Sequence, residues 1–300
     1  MRPDVEIADR PEDAEGPVTA VRQLDAEARR TESPCGDGSM VWRSWGDGPA
    51  LVLLHGGAGS WQHWVRTVPA FSRTHRVLAP DLPGLGESAD PPAPPDMTTI
   101  SAIVAAGIDG LLGPRASYDL VGFSFGASVG GHVALLHGER VRSLTLLGAG
   151  GLARPRMPMA LERVRDKSGE ALAQAHRTNL QRIMIADPAR IDALAIAIQD
   201  WNVRHARLDS PALIAQRPLA LSLPQLRIPV NAIWGERDQL AYYTLPERIA
   251  ALRALCPAVE LRIIPVAGHW AAYELPDAFN ATLAELLRGG AGPDDRRRNA

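Results

Sequence analysis

The hydrophobic pattern changes its period along the chain. Val18, Val21, Leu24 and Ala28 recur at helical spacing with charges between them, which predicts a short amphipathic helix over residues 18–30. After a stretch punctuated by Gly, Ser and Pro, Met40–Trp45 reads as an early strand. Short apolar runs then follow at Ala50–Leu54, Arg76–Ala79, Asp119–Gly122, Ser143–Leu147, Val230–Trp234 and Glu260–Ile264. The run Ala50–Leu54 is continuous rather than alternating, as a strand buried on both faces of a parallel sheet requires. Helical patterns separate the runs, at about 61–73, 98–112, 126–137, 244–254 and 275–288. Strand and helix in alternation predict an α/β fold, a mostly parallel sheet wrapped by helices.

Residues 152–226 break the alternation. They hold helical patterns, no convincing strand, and an excess of Lys and Arg over Asp and Glu. An interval that long exceeds any ordinary crossover, so it reads as an inserted helical cap. The predicted organisation is an N-terminal extension with a short helix over 1–37, a core over 38–151 and 227–288, the cap over 152–226, and a disordered tail over 289–300.

Composition narrows the function classes. In 300 residues, 46% are apolar and the net charge is −2, which excludes wholesale disorder and argues against a nucleic-acid partner. The two cysteines, Cys35 and Cys256, have no CxxC or Cys/His spacing, so neither a disulfide framework nor a structural zinc site is expected. Residues 1–16 are acidic and lack the basic start and apolar stretch of a secretory signal, and no run approaches 18 apolar residues. The expectation is a cytoplasmic protein with a small-molecule substrate, no membrane partner, and a homodimer left open.

The strongest chemical signal is Gly122-Phe123-Ser124-Phe125-Gly126, between a strand pattern and a helix pattern. Small residues two before and two after the serine let strand and helix approach, and the hydroxyl stands exposed on the turn. Such a hydroxyl needs a base, and the base needs an orienting acid. His269 follows the strand Glu260–Ile264, and Asp238 follows the strand Val230–Trp234. The order Ser124, Asp238, His269 suits a nucleophile–acid–base set at three strand ends. Glu236 and Asp81 are rival acids, and His55 and His132 rival bases. Glu236 reads as a loop ion pair with Arg237, Asp81 as loop scaffolding, His55 as a bond to loop backbone, and His132 as a helix residue. An oxyanion needs two donors. Phe125 supplies one backbone N–H, and the loop His55-Gly56-Gly57-Ala58-Gly59 supplies the other, with Gly57 preferred over Gly56 and Ala58. A phosphate-binding loop would need a following Lys and Ser or Thr, which this glycine run lacks.

With these motifs in hand, the chain resembles the α/β-hydrolase superfamily over about residues 38–288. The resemblance rests on HGG at 55–57, DLPGLGES at 81–88, GFSFG at 122–126, GERD at 235–238 and GHW at 268–270. The nearest subgroup is the meta-cleavage product hydrolases, which cleave a carbon–carbon bond in ring-opened aromatics. The shared features are the HGGAG loop, Trp270 directly after the base, and a helical cap. The resemblance implies a serine hydrolase with no metal or organic cofactor, acting on an apolar acyl, ester or ring-fission dienoate substrate. Two readings stand beside it: a simple carboxylesterase, and a non-catalytic ligand-binding protein of the same fold. Phe123, Phe125, Trp201, Trp270 and Met157 are candidates for an apolar pocket, with core packing as the alternative for Trp201 and Met157. Phe123 and Phe125 depart from the subgroup, which carries Asn and Met there. The subgroup grips a substrate carboxylate partly with cap arginine. The candidates here are Arg154, Arg156, Arg163, Arg165, Arg182, Arg204 and Arg207, most of them expected on solvated helix faces.

Overall fold

The computed structural model describes residues 18–152, 160–241 and 244–290. Its strands are β1 (Arg29–Cys35), β2 (Gly38–Trp45), β3 (Ala50–Leu54), β4 (Arg76–Pro80), β5 (Tyr118–Phe123), β6 (Val141–Leu147), β7 (Val230–Gly235) and β8 (Glu260–Ile264). They form one sheet in the order β1-β2-β4-β3-β5-β6-β7-β8. The pairs β1–β2 and β2–β4 are antiparallel, and every later pair is parallel.

Period-two alternation divides each central strand between the two faces of the sheet. Val52, Leu54, Leu120, Leu144, Leu146 and Ala232 join one apolar cluster. Their neighbours Leu51, Leu53, Val121, Leu147 and Ile233 join the other. Both faces are apolar because both are covered, which is why the central strands read as continuous runs. Helices Met97–Leu112 and Phe125–His137 cover the first face through Ile100, Val104, Ile108, Val129 and Val133. Helix Pro276–Gly290 covers the second with Phe279, Leu283 and Leu286.

Three boundaries differ from expectation. The helix over 18–30 ends at Glu27, Ala28 is extended, and β1 begins at Arg29, inside the range read as an N-terminal extension. β1 is an edge strand whose only buried residues are Ser33 and Cys35, so it carries no apolar run to announce it. The helix expected over 61–73 is two pieces, a 3-10 turn Trp61–Trp64 and a helix Val68–Phe71 with Pro69 in its first turn. Proline there starts a helix rather than continuing one. At the far end, Ala271–Glu274 forms a separate short helix before Pro276 opens the last one, which runs to Gly290. The remainder of the expected tail, 291–300, lies outside the described residues.

Between β6 and β7 the described residues hold helices Gly169–Ile183, Ala193–Arg204, Ser210–Ala215 and Pro218–Ser222, and no strand. Leu213, Leu219 and Leu223 pack into the first cluster, and Leu180, Ile185 and Ile198 into the second. Arg154, Arg156 and Met157 lie outside the described residues. Among the described residues, no helix is long and apolar enough to cross a membrane.

Candidate active site

The turn after β5 is forced by close approach. A Cβ at Gly122 would lie 2.6 Å from both Cα and N of Ala127, so only glycine lets strand and helix meet here. Ser124 then takes φ +52°, a left-handed conformation for a residue with a side chain. Such strain costs on the order of 1–3 kcal/mol and persists only where the surroundings over-determine it. They do: the Ser124 N–H donates to Leu147 O at 2.8 Å, and its carbonyl accepts from Gly150 N–H at 3.2 Å. Ser124 remains partly exposed while its neighbours Phe123 and Phe125 are buried.

The loops after β7 and β8 bring Asp238 and His269 together. His269 Nδ1 stands 2.8 Å from Asp238 Oδ2, and both side chains are almost wholly buried. Asp238 Oδ1 also accepts from Leu240 N–H at 3.0 Å. With Nδ1 donating to the carboxylate, the neutral imidazole carries its lone pair on Nε2. Gly148, at the end of β6, makes room for this pair. A Cβ there would lie 2.9 Å from His269 Cε1 and 3.4 Å from Asp238 Oδ2, and its φ is +53°. The loop opened by Gly148 thus touches the His269 ring, and through Gly150 the backbone of Ser124. The Phe123 ring completes the link, 4.9 Å from that of His269 between centroids.

The glycine loop after β3 lies against the same turn. A Cβ at Gly56 would come within 3.0 Å of the Phe123 ring and 3.4 Å of Ser124 Cβ. The Gly56 N–H is occupied, donating to His63 Nδ1 at 3.3 Å. Gly57 faces Phe125: a Cβ on it would be 3.7 Å from Phe125 Cβ and 3.1 Å from Ser210 Cβ. His55 holds the loop. Its Nε2 accepts from Leu82 N–H at 2.8 Å, so Nδ1 is the donor to Gly56 O at 2.7 Å. Complete burial pushes the His55 pKa down to about 4, against the weaker opposing effect of the Gly56 carbonyl.

The rival residues sit elsewhere. Asp81 is fully buried, its Oδ1 accepting from Trp61 N–H at 2.9 Å and its Oδ2 from Glu87 N–H at 3.1 Å and from Arg43 at 3.4 Å. Glu236 accepts from Val266 N–H at 2.8 Å, a loop role filled by backbone rather than by Arg237. His132 Nδ1 bonds the Ser128 carbonyl within its own helix at 3.1 Å. Trp270 is fully buried, donating from its indole to His63 O at 2.9 Å and stacking on Tyr273 at 4.2 Å. Trp201 stacks on His205 at 4.0 Å in the helix Ala193–Arg204. Among the described residues, no group of three or more His, Cys, Asp or Glu is placed to hold a metal.

Three neighbours of the site are absent from the sequence reading. His63 packs against Phe123 and Trp270, with centroids at 5.4 Å and 5.0 Å. Its burial, reinforced by His55 and His269, pushes its pKa well below the usual histidine value. Gln239 and Glu274 bond the backbone of the His269 loop. Only their nearness in sequence to Asp238 and His269 could have drawn notice to the last two.

What this arrangement offers chemically is a strained, partly exposed hydroxyl, a carboxylate-oriented imidazole, and a glycine loop packed against the serine turn. The profile of the alpha/beta hydrolase fold matches residues 49–276. The dihydrolipoyllysine-residue acetyltransferase component of the acetoin cleaving system of Pseudomonas putida is 29% identical over 80% of this chain. The chain spans 64% of that relative's length. The 2-hydroxy-6-oxo-6-phenylhexa-2,4-dienoate hydrolase of Burkholderia cepacia is 28% identical over 82% of this chain and 90% of its own. Among solved structures, a thermophilic esterase from Thermogutta terrifontis superposes with TM-score 0.66 at 25% identity, over 88% of this chain and all of that one. An esterase from Rhodococcus sp. gives TM-score 0.70 at 22% identity, over 87% and 99% of the two chains, a likeness of fold alone. A family profile covering most of the chain, on a sheet of this order with these turns, means that the protein belongs to the α/β-hydrolase fold family.

Proposed function

We propose that the protein is a serine hydrolase that cleaves a neutral, largely apolar ester through an acyl-enzyme on Ser124. The observation that carries the reading is the 2.8 Å contact of His269 Nδ1 with Asp238 Oδ2, at the strand ends beside the Ser124 turn. In this mechanism His269 Nε2 takes the Ser124 proton as the hydroxyl attacks the ester carbonyl. Asp238 fixes the tautomer and stabilises the imidazolium. The N–H groups of Phe125 and Gly57 receive the oxyanion, and the imidazolium returns its proton to the departing alkoxide. Water, deprotonated by the same imidazole, then releases the acid and regenerates Ser124.

Neutrality of the substrate is supported by where the candidate arginines among the described residues stand. Arg163, Arg165, Arg182, Arg204 and Arg207 of the helical segment are all exposed. Four of them pair with carboxylates: Arg163 with Asp166, Arg182 with Glu162, Arg204 with Asp200 and Arg207 with Asp90. In this reading residues 152–226 act as a cap over Ser124, and Phe123 lines the pocket floor. A second reading, carbon–carbon cleavage of a ring-fission dienoate, draws on the named activity of the Burkholderia relative and on Trp270 following His269.

The test compares p-nitrophenyl butyrate with a 2-hydroxy-6-oxo-dienoate on the parent protein and on Ser124→Ala. The expected result is turnover of the ester that drops by more than about a thousandfold in the variant. Strong preference for the dienoate moves the assignment to the second reading. An inert parent protein that still binds the ester points to a ligand-binding member of the fold.

A further inference from the structure

The loop that carries His269 is joined to the helical segment by one carboxylate. Glu274 is 1% exposed and closes the short helix Ala271–Glu274. Its Oε2 accepts from Gly268 N–H at 2.7 Å and from Ala186 N–H at 3.1 Å, and its Oε1 from Asp187 N–H at 2.8 Å. Gly268 immediately precedes His269. Ala186 and Asp187 follow the helix Gly169–Ile183. More bonds run along the same seam. Trp270 N–H donates to Met184 O at 2.7 Å. Gln239 accepts from His269 N–H at 3.3 Å through Oε1 and donates to Gln181 O at 3.4 Å through Nε2. The seam has no slack: a Cβ at Gly268 would lie 2.6 Å from Ala186 N and 2.9 Å from both Gln239 Oε1 and Glu274 Oε2.

A buried carboxylate is costly unless its lone pairs are filled. Here backbone N–H groups from two distant segments fill them. Backbone donors cannot swing away as side chains can, so the carboxylate fixes where the peptide before His269 sits relative to residues 186–187. The imidazole one residue later must reach Asp238 Oδ2, and a displaced peptide carries it off that line. We propose that Glu274 is a positioning residue for His269, its carboxylate locking the histidine loop onto the end of the helix Gly169–Ile183. The proposal rests on the Ser124–His269–Asp238 reading. Its consequence is that a shift of the helical segment is felt at the base itself, and not only at the pocket wall.

A purely structural role would lower stability and leave kcat per folded molecule alone. Positioning lowers kcat and spares KM, because the pocket lining is unchanged. Glu274→Gln is isosteric, but its amide NH2 must face a backbone N–H that needs an acceptor. The experiment measures hydrolysis of p-nitrophenyl butyrate by the full chain. It also measures the rate of labelling by a fluorophosphonate, with the modified residue located by mass spectrometry. In Glu274→Gln, kcat is expected to fall on the order of a hundredfold with KM near the parent value, and labelling of Ser124 to slow in parallel. Gln239→Ala, which removes the longer bonds of the same seam, should show a smaller fall of the same kind. A folded Glu274→Gln protein that keeps the parent kcat and labelling rate overturns the proposal, whatever Gln239→Ala shows. If Glu274→Gln does not fold, parent-like values in Gln239→Ala alone overturn it. A parent protein that turns over ester without labelling at Ser124 overturns instead the reading on which the proposal rests, and the proposal with it.

Discussion

Gly148 shows how much of the site depends on an atom that is missing. It sits at φ +53°, with a would-be Cβ 2.9 Å from the His269 ring. Gly148→Ala should therefore act twice. The backbone conformation costs an L side chain about 1–2 kcal/mol. The added methyl also pushes the imidazole off Asp238, and a misplacement near 1 Å is worth on the order of a hundredfold in rate. The expected outcome is a large loss of kcat in a protein that still folds, measured by ester hydrolysis beside circular dichroism. At this scale the sequence was uneven. The turn at Ser124 and the pairing of Asp238 with His269 were legible because each residue belongs to a motif at a strand end. Gly148 was not, because a glycine after an apolar run is common and its meaning lies in the ring it faces. His63 was hidden for a similar reason: its partner, the Gly56 N–H, is a backbone group.

At the scale of elements, one buried arginine connects the first helix, β2 and the loop 81–88. Arg43 is nearly inaccessible and pairs with Asp25 of the helix, with fully buried Asp81, and with Glu87. Burial pushes the Asp81 pKa up, while Arg43 and the N–H groups of Trp61 and Glu87 work against that rise. Asp81 in turn holds Trp61 N–H at the entrance of the 3-10 turn that follows the glycine loop. Removing one partner of a buried pair leaves an uncompensated charge, so Arg43→Ala should lose about 3–5 kcal/mol of stability. Urea unfolding measures this, and kcat of the molecules that remain folded should be close to the parent value. The loop DLPGLGES was readable as scaffolding from its own residues. Its cation was not, since Arg43 lies on another strand and no local pattern marks it. β1 escaped detection on the same grounds. Its identity comes from the ladder with β2, a tertiary fact, and not from the polar run Arg29–Cys35.

For the whole molecule, the alternation of strands and helices was enough to give the fold class, because a sheet buried on both faces writes itself into the chain as apolar runs. The helices between β6 and β7 were legible as well, as a long interval in which the described residues form no strand. What the pattern could not carry is how the layers are joined, and two buried neutral histidines do part of that. His55 bridges the glycine loop to Leu82, and burial lowers its pKa from the ordinary value near 6.5 to about 4. The unfolded chain protonates this ring below about pH 6.5, whereas the folded protein resists until about pH 4, so the unfolded state gains protons first. Stability contributed by His55 is thus complete above about pH 6.5 and is lost as the pH falls toward 4. That loss amounts to on the order of 3 kcal/mol once both states are protonated. His63, displaced in the same direction, adds to it. His55→Gln can place its Oε1 where Nε2 accepts from Leu82, but it has no proton to gain. The variant should be less stable than the parent at pH 7.5, having lost the bond to Gly56 O, yet its melting temperature should fall less steeply between pH 6.5 and 4.5. Thermal melts at stepped pH measure the two slopes. Equal slopes would place the acid lability outside the glycine loop.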